Sequence, residues 1–494
     1  MARKWTIFVA GAIVSAGAIL GLSQLVIGAN AQTTETYRQL NLFGEAFERV
    51  LANYVDEVTE EALIQAAITG MLQSLDPHSD YMAPAAYQDL TRTNRGEFGG
   101  LGIEVTMDEN GFVEVVTPMA DGPAERVGVL AGDLIIAVGD VAIQGLSLNQ
   151  AVELMRGDPG TEVTITVARE GADGPIQFTI VREVIQMTSV RSSVMGTIGY
   201  IRLTSFTDNT TQGLQDAVIR LTSQIGADQV TGFILDLRNN PGGLLDQSVS
   251  VADAFLERGE ILTTRGRYEE QTRRYAARAG DIIRGLPLIV LVNGGAASAS
   301  EIVAGALQDQ RRATLVGTLS FGKGTVQTII PLSANQGALR LTTARYYTPS
   351  GRSIQATGIA PDIRVAQILP PEIMEQLQLL PPQGEAALPG ALANPDANVE
   401  EQAATYDLIP RDPEADTQLQ HALALMRGEI TDPAYPPNPN AGLPGAPATA
   451  PATPAPAPAT PAPTPAPVTP APATPAPTPA PVTPAPTPAP APAP

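Results

Sequence analysis

Leu286-Pro-Leu-Ile-Val-Leu-Val292-Asn-Gly-Gly-Ala-Ala-Ser298-Ala-Ser300-Glu301-Ile302-Val303 decides the fold. The run from Leu286 to Val292 is short, apolar, β-branched and bounded by Pro and Gly, the signature of a buried strand. A glycine turn follows. Ala299, Ile302, Val303, Ala306 and Leu307 then recur at the i, i+3, i+4 spacing of one helix face. Ser298 therefore falls on a strand-to-helix turn, where a hydroxyl can project and unpaired N–H groups can hold an anion. The same residues admit a plainer reading, because Ser298-x-x-Glu301 is also a helix capping box.

The pattern repeats on either side. Ile198-Gly-Tyr-Ile-Arg-Leu and Gly232-Phe-Ile-Leu-Asp read as further strands, with helices expected over 211–225 and 246–255. Alternation of this kind argues for an α/β core with a largely parallel sheet, placed at 183–365. The stretch 338–349 is expected to add strands beside it. Downstream of the serine turn comes Gly322-Lys323-Gly324-Thr-Val-Gln327. Gly317-Thr-Leu-Ser-Phe-Gly322-Lys323 fits a phosphate loop up to its last position. There Gly324 replaces Ser or Thr, and a strand-like segment replaces the required helix, so a nucleotide site is rejected.

Composition narrows the chemistry. The chain has no cysteine and two histidines, His78 and His421, neither in a recognisable base or zinc motif. Cysteine nucleophiles, disulfides and thiolate metal sites are excluded, and no cofactor or metal is expected. If Ser298 is activated, lysine is the natural remaining base. It must be neutral to accept a proton, which burial favours. Gly322 and Gly324 would allow the close packing that buries Lys323, although a lone lysine is more often a solvated surface charge. The net charge of −21 argues against nucleic acid or an anionic membrane surface as the main partner.

Asn293 to Glu301 and Phe321 to Gln327 resemble the active-site segments of the carboxyl-terminal processing, or tail-specific, proteases. The resemblance covers roughly residues 35 to 365. It implies Ser298 as nucleophile, Lys323 as general base and Gln327 as the residue orienting the lysine. The family's Ser-Ala-Ser-Ala-Ser-Glu has Ala296 at its first position here, while the middle serine is kept. One oxyanion donor would be the N–H of Ala299. The second would come from the Leu237-Arg-Asn-Asn-Pro-Gly242-Gly243 loop, from Gly242 or Gly243; read alone, that loop is an ordinary turn. The resemblance also implies a crotonase-like spiral for the core.

Residues 96–182 resemble a bacterial-type PDZ domain through Gly99-Gly100-Leu101-Gly102-Ile103 and Gly132-Asp133-Leu-Ile-Ile. Glycine-rich turns expose consecutive N–H groups that capture a C-terminal carboxylate, and the peptide then adds as a strand to the sheet edge. The expected carboxylate loop is 100–103. Leu148, Val152 and Met155, on a helix starting at Ser147, are candidate pocket residues. The partners implied are protein or peptide substrates with apolar C-terminal tails.

Residues 1–31 combine Arg3 and Lys4, an apolar run from Trp5 to Gly28, and Ala29-Asn-Ala31, a signal-peptidase site. That run is also long enough to serve as an uncleaved anchor. Either way the folded part is expected outside the cytoplasm, in the periplasm or cell envelope. Residues 35–90 begin with two amphipathic helices, one face carrying Leu40, Phe43, Phe47, Val50, Leu51 and Tyr54, the other Leu63, Ala67, Met71 and Leu75. The resemblance implies that these mediate self-association. His78, in Leu75-Asp-Pro-His78-Ser, is expected to be a structural hydrogen-bonder. Residues 366–436 form an acidic extension with one helix pattern near 418–426, and 437–494 a Pro/Ala/Thr spacer. The expectation is thus an exported, PDZ-directed endopeptidase. Its rivals are a tail-binding adaptor with an inactive hydrolase-like domain and a crotonase-type acyl-CoA enzyme.

Overall fold

The computed structural model describes residues 35–437 except 109–110, 372, 374–383, 397–403 and 405–407. The expectations for 1–31 and for the tail beyond 437 lie outside the described residues.

Six strands form the central sheet in the order Val190–Met195, Ile198–Leu203, Gly232–Asp236, Leu288–Val292, Thr314–Gly317, Ile363–Arg364. The first pair is antiparallel and every later pair parallel. Gly232–Asp236 and Leu288–Val292 are buried at every position, which is why both read as unbroken apolar runs rather than alternating ones. Period-two alternation divides their side chains between two cores. Phe233, Leu235, Leu288, Val290 and Val292 pack with Leu214, Leu221, Val251 and Val303 of the helices Thr210–Ile225, Leu245–Asp253 and Ala299–Asp309. Ile234, Ile289 and Leu291 face the other way, against Leu419, Ala422 and Leu423 of the helix Thr417–Met426. The packed core therefore runs past residue 365, because one face of the parallel sheet would otherwise be bare.

A second, antiparallel sheet holds Asp80–Met82, Ala338–Tyr347, Glu260–Gly266 and Arg273–Ala276, with Thr325–Pro331 paired to Ala338–Tyr347. Its 338–347 strand and the strand-like segment after Gly324 were expected from sequence; the other strands were not. The N-terminal segment contributes Asp80–Met82 to this sheet, after a helix over 35–53 and another over Glu60–Gln73. On the first helix Leu40, Phe43 and Val50 are exposed; on the second Met71 is exposed and Leu72 takes the buried position.

Residues 97–186 leave the core and return to it, their ends joined by the antiparallel pair Glu97–Gly100 and Glu183–Gln186. Between them Ile103–Met107, Val113–Pro118, Leu134–Val138, Glu162–Ala168 and Ile176–Val181 form one sheet. Its core of Val113, Val115, Ile135, Ile165, Val167 and Ile180 includes Ala151 and Met155 from the helix Leu148–Met155. Ser147 and Gln150 close a capping box at that helix start. Asp133 is buried beneath this sheet and meets Arg169 in a bidentate pair at 2.6 and 2.8 Å. Burial pushes the Asp133 carboxyl up, but Arg169 and the Leu130 N–H outweigh it and hold the carboxyl below its usual range.

Candidate active site

The expected strand–turn–helix forms. Leu288–Val292 ends, and the helix Ala299–Asp309 starts directly after Ser298, which has φ +54° and ψ −112°. A non-glycine residue at positive φ is strained, and such strain persists where the surroundings over-determine it. Here Ser298 N–H donates to Glu301 Oε2 at 2.7 Å, and Tyr346 Oη donates to the Ser298 carbonyl at 3.2 Å. The cap and the projecting serine are therefore one arrangement rather than two rival readings.

Glu301 does more than cap. Its side chain is fully buried and accepts from Ser320 Oγ at 2.5 Å, Gly322 N–H at 2.7 Å and Lys323 N–H at 3.0 Å. One carboxylate thus ties the serine turn to the lysine segment. Burial pushes its pKa up to about 7 in spite of these four donors. Sequence inspection found Glu301 only as a capping residue. Its contacts to 320–323 depend on chain folding that no local pattern encodes.

Lys323 is half-buried. Burial holds its ammonium below the usual lysine range; Arg340 adds to that, while Glu385, Glu301 and Asp76 oppose it. The flanking glycines are required by packing. A Cβ on Gly324 would lie 2.5 Å from the Gln355 nitrogen, and Gly322 has φ +94° with a Cβ position 3.1 Å from Gly358 N. Tyr346 also donates to the Lys323 carbonyl.

Ser298, Ala299, Lys323, Gln327 and Gly243 all line one cavity of about 940 Å³, together with Tyr346, Arg340 and Arg273. Gln327 Nε2 donates to Thr325 and Thr342 hydroxyls, both at 3.1 Å, and among the described residues no hydrogen bond joins it to Lys323. Gly242 and Gly243 separate clearly. The Gly242 N–H is already donated to Asn240 Oδ1 at 2.9 Å, which removes it as a donor to an oxyanion. The Gly243 N–H has no partner among the described residues. Gly242 instead supplies space, since a Cβ there would meet Ala297 O at 2.9 Å and Ser298 Cβ at 3.0 Å. The Ala299 N–H, at the helix start, is likewise without a partner among the described residues.

Neither histidine lines this cavity. His78 Nε2 bonds Glu385 Oε2 at 2.8 Å, the structural role expected of it, and the buried His421 Nε2 has no partner among the described residues. Among the described residues no cluster of three or more His, Cys, Asp or Glu side chains could hold a metal ion.

The proposed tail-binding residues lie together on the inserted domain. Ile103–Met107 is the terminal strand of its sheet, so one edge is unpaired among the described residues. The Leu101 carbonyl accepts from Ala124 N–H at 3.0 Å and the Gly102 carbonyl from Met119 N–H at 2.8 Å, which fixes the 100–103 turn through its acceptors. Gly100 continues the Glu97–Gly100 strand, and Gly102 has φ +66°. Ile103, Leu148 and Val152 are partly buried against the cluster that contains Leu101 and Met155.

Ser298, Ala299, Gly243 and Lys323 thus share one cavity. Comparison with known proteins gives the class of the chain, a serine-type peptidase. Residues 197–365 match the model of peptidase family S41, 114–169 a PDZ domain, and 14–86 the activating protease CtpB N-terminal domain. A carboxy-terminal-processing protease of Bartonella bacilliformis is 51% identical over 440 residues, covering 89% of this chain and 99% of that protein. Carboxy-terminal processing protease CtpA of Bacillus subtilis is 34% identical, over 70% of this chain and 72% of that protein. The solved photosystem II D1 C-terminal processing protease is 32% identical, covering 67% of this chain and 94% of its own, with a TM-score of 0.40. The chain belongs to peptidase family S41, among the carboxy-terminal-processing proteases. Its substrates are accordingly proteins or peptides.

Proposed function

We infer that the chain is an exported serine endopeptidase that selects substrates by their C-terminal tails and cleaves with a Ser298–Lys323 pair. The observation that carries this reading is the strained Ser298 and the half-buried Lys323 on one cavity, tied together by Glu301. Neutral Lys323 Nζ takes the Ser298 hydroxyl proton as Oγ attacks the scissile carbonyl. The tetrahedral oxyanion is met by the Ala299 and Gly243 N–H groups. Collapse breaks the C–N bond, with the lysine proton passing to the leaving amine, and leaves an acyl ester on Ser298. Water, deprotonated by the same lysine, hydrolyses that ester and restores Ser298. Gln327, its Nε2 held by Thr325 and Thr342, keeps Oε1 as the atom that would orient Nζ.

The tail of the substrate would add as a strand along Ile103–Met107, its carboxylate at the 100–103 turn and its last apolar side chain against Leu148, Val152 and Met155. Exposed Leu40, Phe43 and Val50 support self-association through the N-terminal helices. Export rests on the leader-like pattern of residues 1–31. Among the described residues no helix is long and apolar enough to cross a membrane.

The test is cleavage of an unfolded reporter ending either in an apolar tail or in a charged one. Wild type should cut the apolar-tailed reporter faster, with a rate rising towards alkaline pH, and Ser298→Ala and Lys323→Ala should each abolish cutting. Cleavage that survives Ser298→Ala would place the nucleophile elsewhere; equal rates on the two tails would remove the tail-directed part.

A further inference from the structure

Behind the lysine segment lies a carboxylate from outside the S41-matched region. Glu385 sits in the C-terminal extension, on the short helical turn Glu385–Ala387, and only 1% of it is exposed. Its backbone N–H donates to the Phe321 carbonyl at 2.9 Å, two residues before Lys323. Its Oε1 accepts from Gln355 Nε2 at 2.9 Å, and Gln355 Oε1 in turn accepts the Gly324 N–H at 2.9 Å, one residue after Lys323. Its Oε2 meets His78 Nε2 at 2.8 Å, which brings in the Leu75-Asp-Pro-His78 stretch of the N-terminal segment. Gly384 packs closely on the same strand of contacts, its Cβ position 3.0 Å from the Phe321 carbonyl.

The extension thus holds the lysine segment before Lys323 through the Glu385 backbone amide, and after Lys323 through Gln355, whose side chain the Glu385 carboxylate orients. Gly322 and Gly324 contribute no side-chain packing of their own, so the segment depends on such outside contacts for its position.

We propose that Glu385 is a positioning residue for catalysis: it clamps residues 321–324 and supplies the negative charge against which Lys323 is set, making the C-terminal extension part of the active site. The proposal rests on Ser298 and Lys323 acting as the catalytic pair. The charged groups around the lysine are Glu385, Glu301, Asp76 and Arg340, and Glu385 is the foremost of those that favour its protonated form. Removing that charge leaves burial and Arg340 less opposed. Lys323 should then lose its proton at lower pH, and the limb on which activity rises with pH should move to lower pH.

The experiment uses the full chain with Glu385→Gln and Glu385→Ala, the apolar-tailed reporter, and hydrogen exchange of the 318–326 peptide. Glu385→Gln removes the charge and keeps an acceptor for Gln355. It should shift the midpoint of kcat/KM to lower pH while exchange stays near wild type. Glu385→Ala should shift the midpoint similarly, speed exchange of 318–326, and lower kcat roughly tenfold or more with KM within about twofold. A loss of thermal stability with an unmoved midpoint and unmoved exchange would overturn the proposal and leave Glu385 a structural residue. Should Glu385→Ala fail to fold, Glu385→Gln decides through the midpoint. A separate readout, competitive amine labelling of Lys323 against pH in the Ser298→Ala background, needs no cleavage. A downward labelling shift in Glu385→Gln supports the action of the Glu385 charge on Lys323, whereas activity retained by Lys323→Ala would sink the Ser–Lys reading and with it the catalytic part of the proposal.

Discussion

Asp416→Ala offers the sharpest test of how the extension is held. Arg238, 1% exposed, makes two bidentate pairs: Nε and Nη2 with Asp236 at 3.0 and 2.7 Å, and Nη1 and Nη2 with Asp416 at 2.8 and 2.7 Å. Gln418 Oε1 takes a further Nη1 bond at 3.0 Å. Tyr200 Oη donates to Asp236 at 2.7 Å, so every carboxylate oxygen of Asp236 is engaged. Breaking a buried pair by removing one partner costs about 3–5 kcal/mol, because the remaining charge stays buried. Asp236 still faces Arg238 in the variant, which favours the lower end. Asp416 Oδ1 also accepts the Leu419 N–H at 3.1 Å as the cap of Thr417–Met426, adding about 1 kcal/mol. The expected loss is about 4 kcal/mol. Native-state hydrogen exchange of the 417–426 amides reads it directly as a fall in the opening free energy of that helix. Asp416→Asn, which keeps a carbonyl acceptor and part of the cap, should lose less. A fall below about 1 kcal/mol in Asp416→Ala would refute the reasoning, since the pair would then be no better than an exposed one.

Two further outcomes follow from the clasp at the serine turn. Glu301 has a folded pKa raised by burial from 4.5 to about 7, so its contribution to stability is full below pH 4.5 and is lost as pH rises through about 7. Glu301→Gln does not titrate; the stability difference between wild type and variant should therefore change by about 3 kcal/mol between pH 4 and 8, and parallel curves by denaturation would contradict the assignment. The variant also turns an acceptor into a donor facing the 320–323 segment, and kcat should fall by about tenfold or more. Gly242→Ala pushes a methyl against Ala297 O and Ser298 Cβ at a φ of +104°; about a hundredfold loss of kcat is expected in a folded protein, and unaltered turnover would mean that the loop yields freely.

The local pieces were legible because each carries its own period. Leu288–Val292 and Gly232–Asp236 read as buried strands and Ser298 as a turn residue from neighbours within a few positions, while the helix from Ser147 to Met155 was expected through the PDZ resemblance. What was missed is held by partners far apart in sequence. Glu301 reaches 320–323, Glu385 reaches His78 and Gln355, and Asp416 reaches Arg238. A carboxylate in an acidic, Pro-rich stretch looks like solvated charge, and nothing in its immediate neighbours distinguishes the few that are buried. The choice between Gly242 and Gly243 was undecidable from sequence for a related reason: Asn240 Oδ1 takes the Gly242 N–H, and a turn motif does not specify the direction of that side-chain oxygen.

If Lys323 is the base proposed above, the burial of Glu301 and Glu385 follows from the requirement placed on it. A lysine that is to act as a base must be shielded from water, and shielding it needs backbone close on both sides, hence Gly322 and Gly324. Glycines that permit this approach bring no packing of their own and leave the segment with more freedom to lose on folding. The position of Lys323 must then be fixed through its backbone. Glu301 takes the N–H groups of Gly322 and Lys323, Gln355 takes that of Gly324, and Tyr346 reaches the Lys323 carbonyl. Anchoring by carboxylates brings a second consequence, since each negative charge also favours the protonated lysine and works against the shielding. A fourth such charge beside Lys323 would push it back towards the ammonium form, whereas Arg340 on the cavity wall offsets part of the three already present.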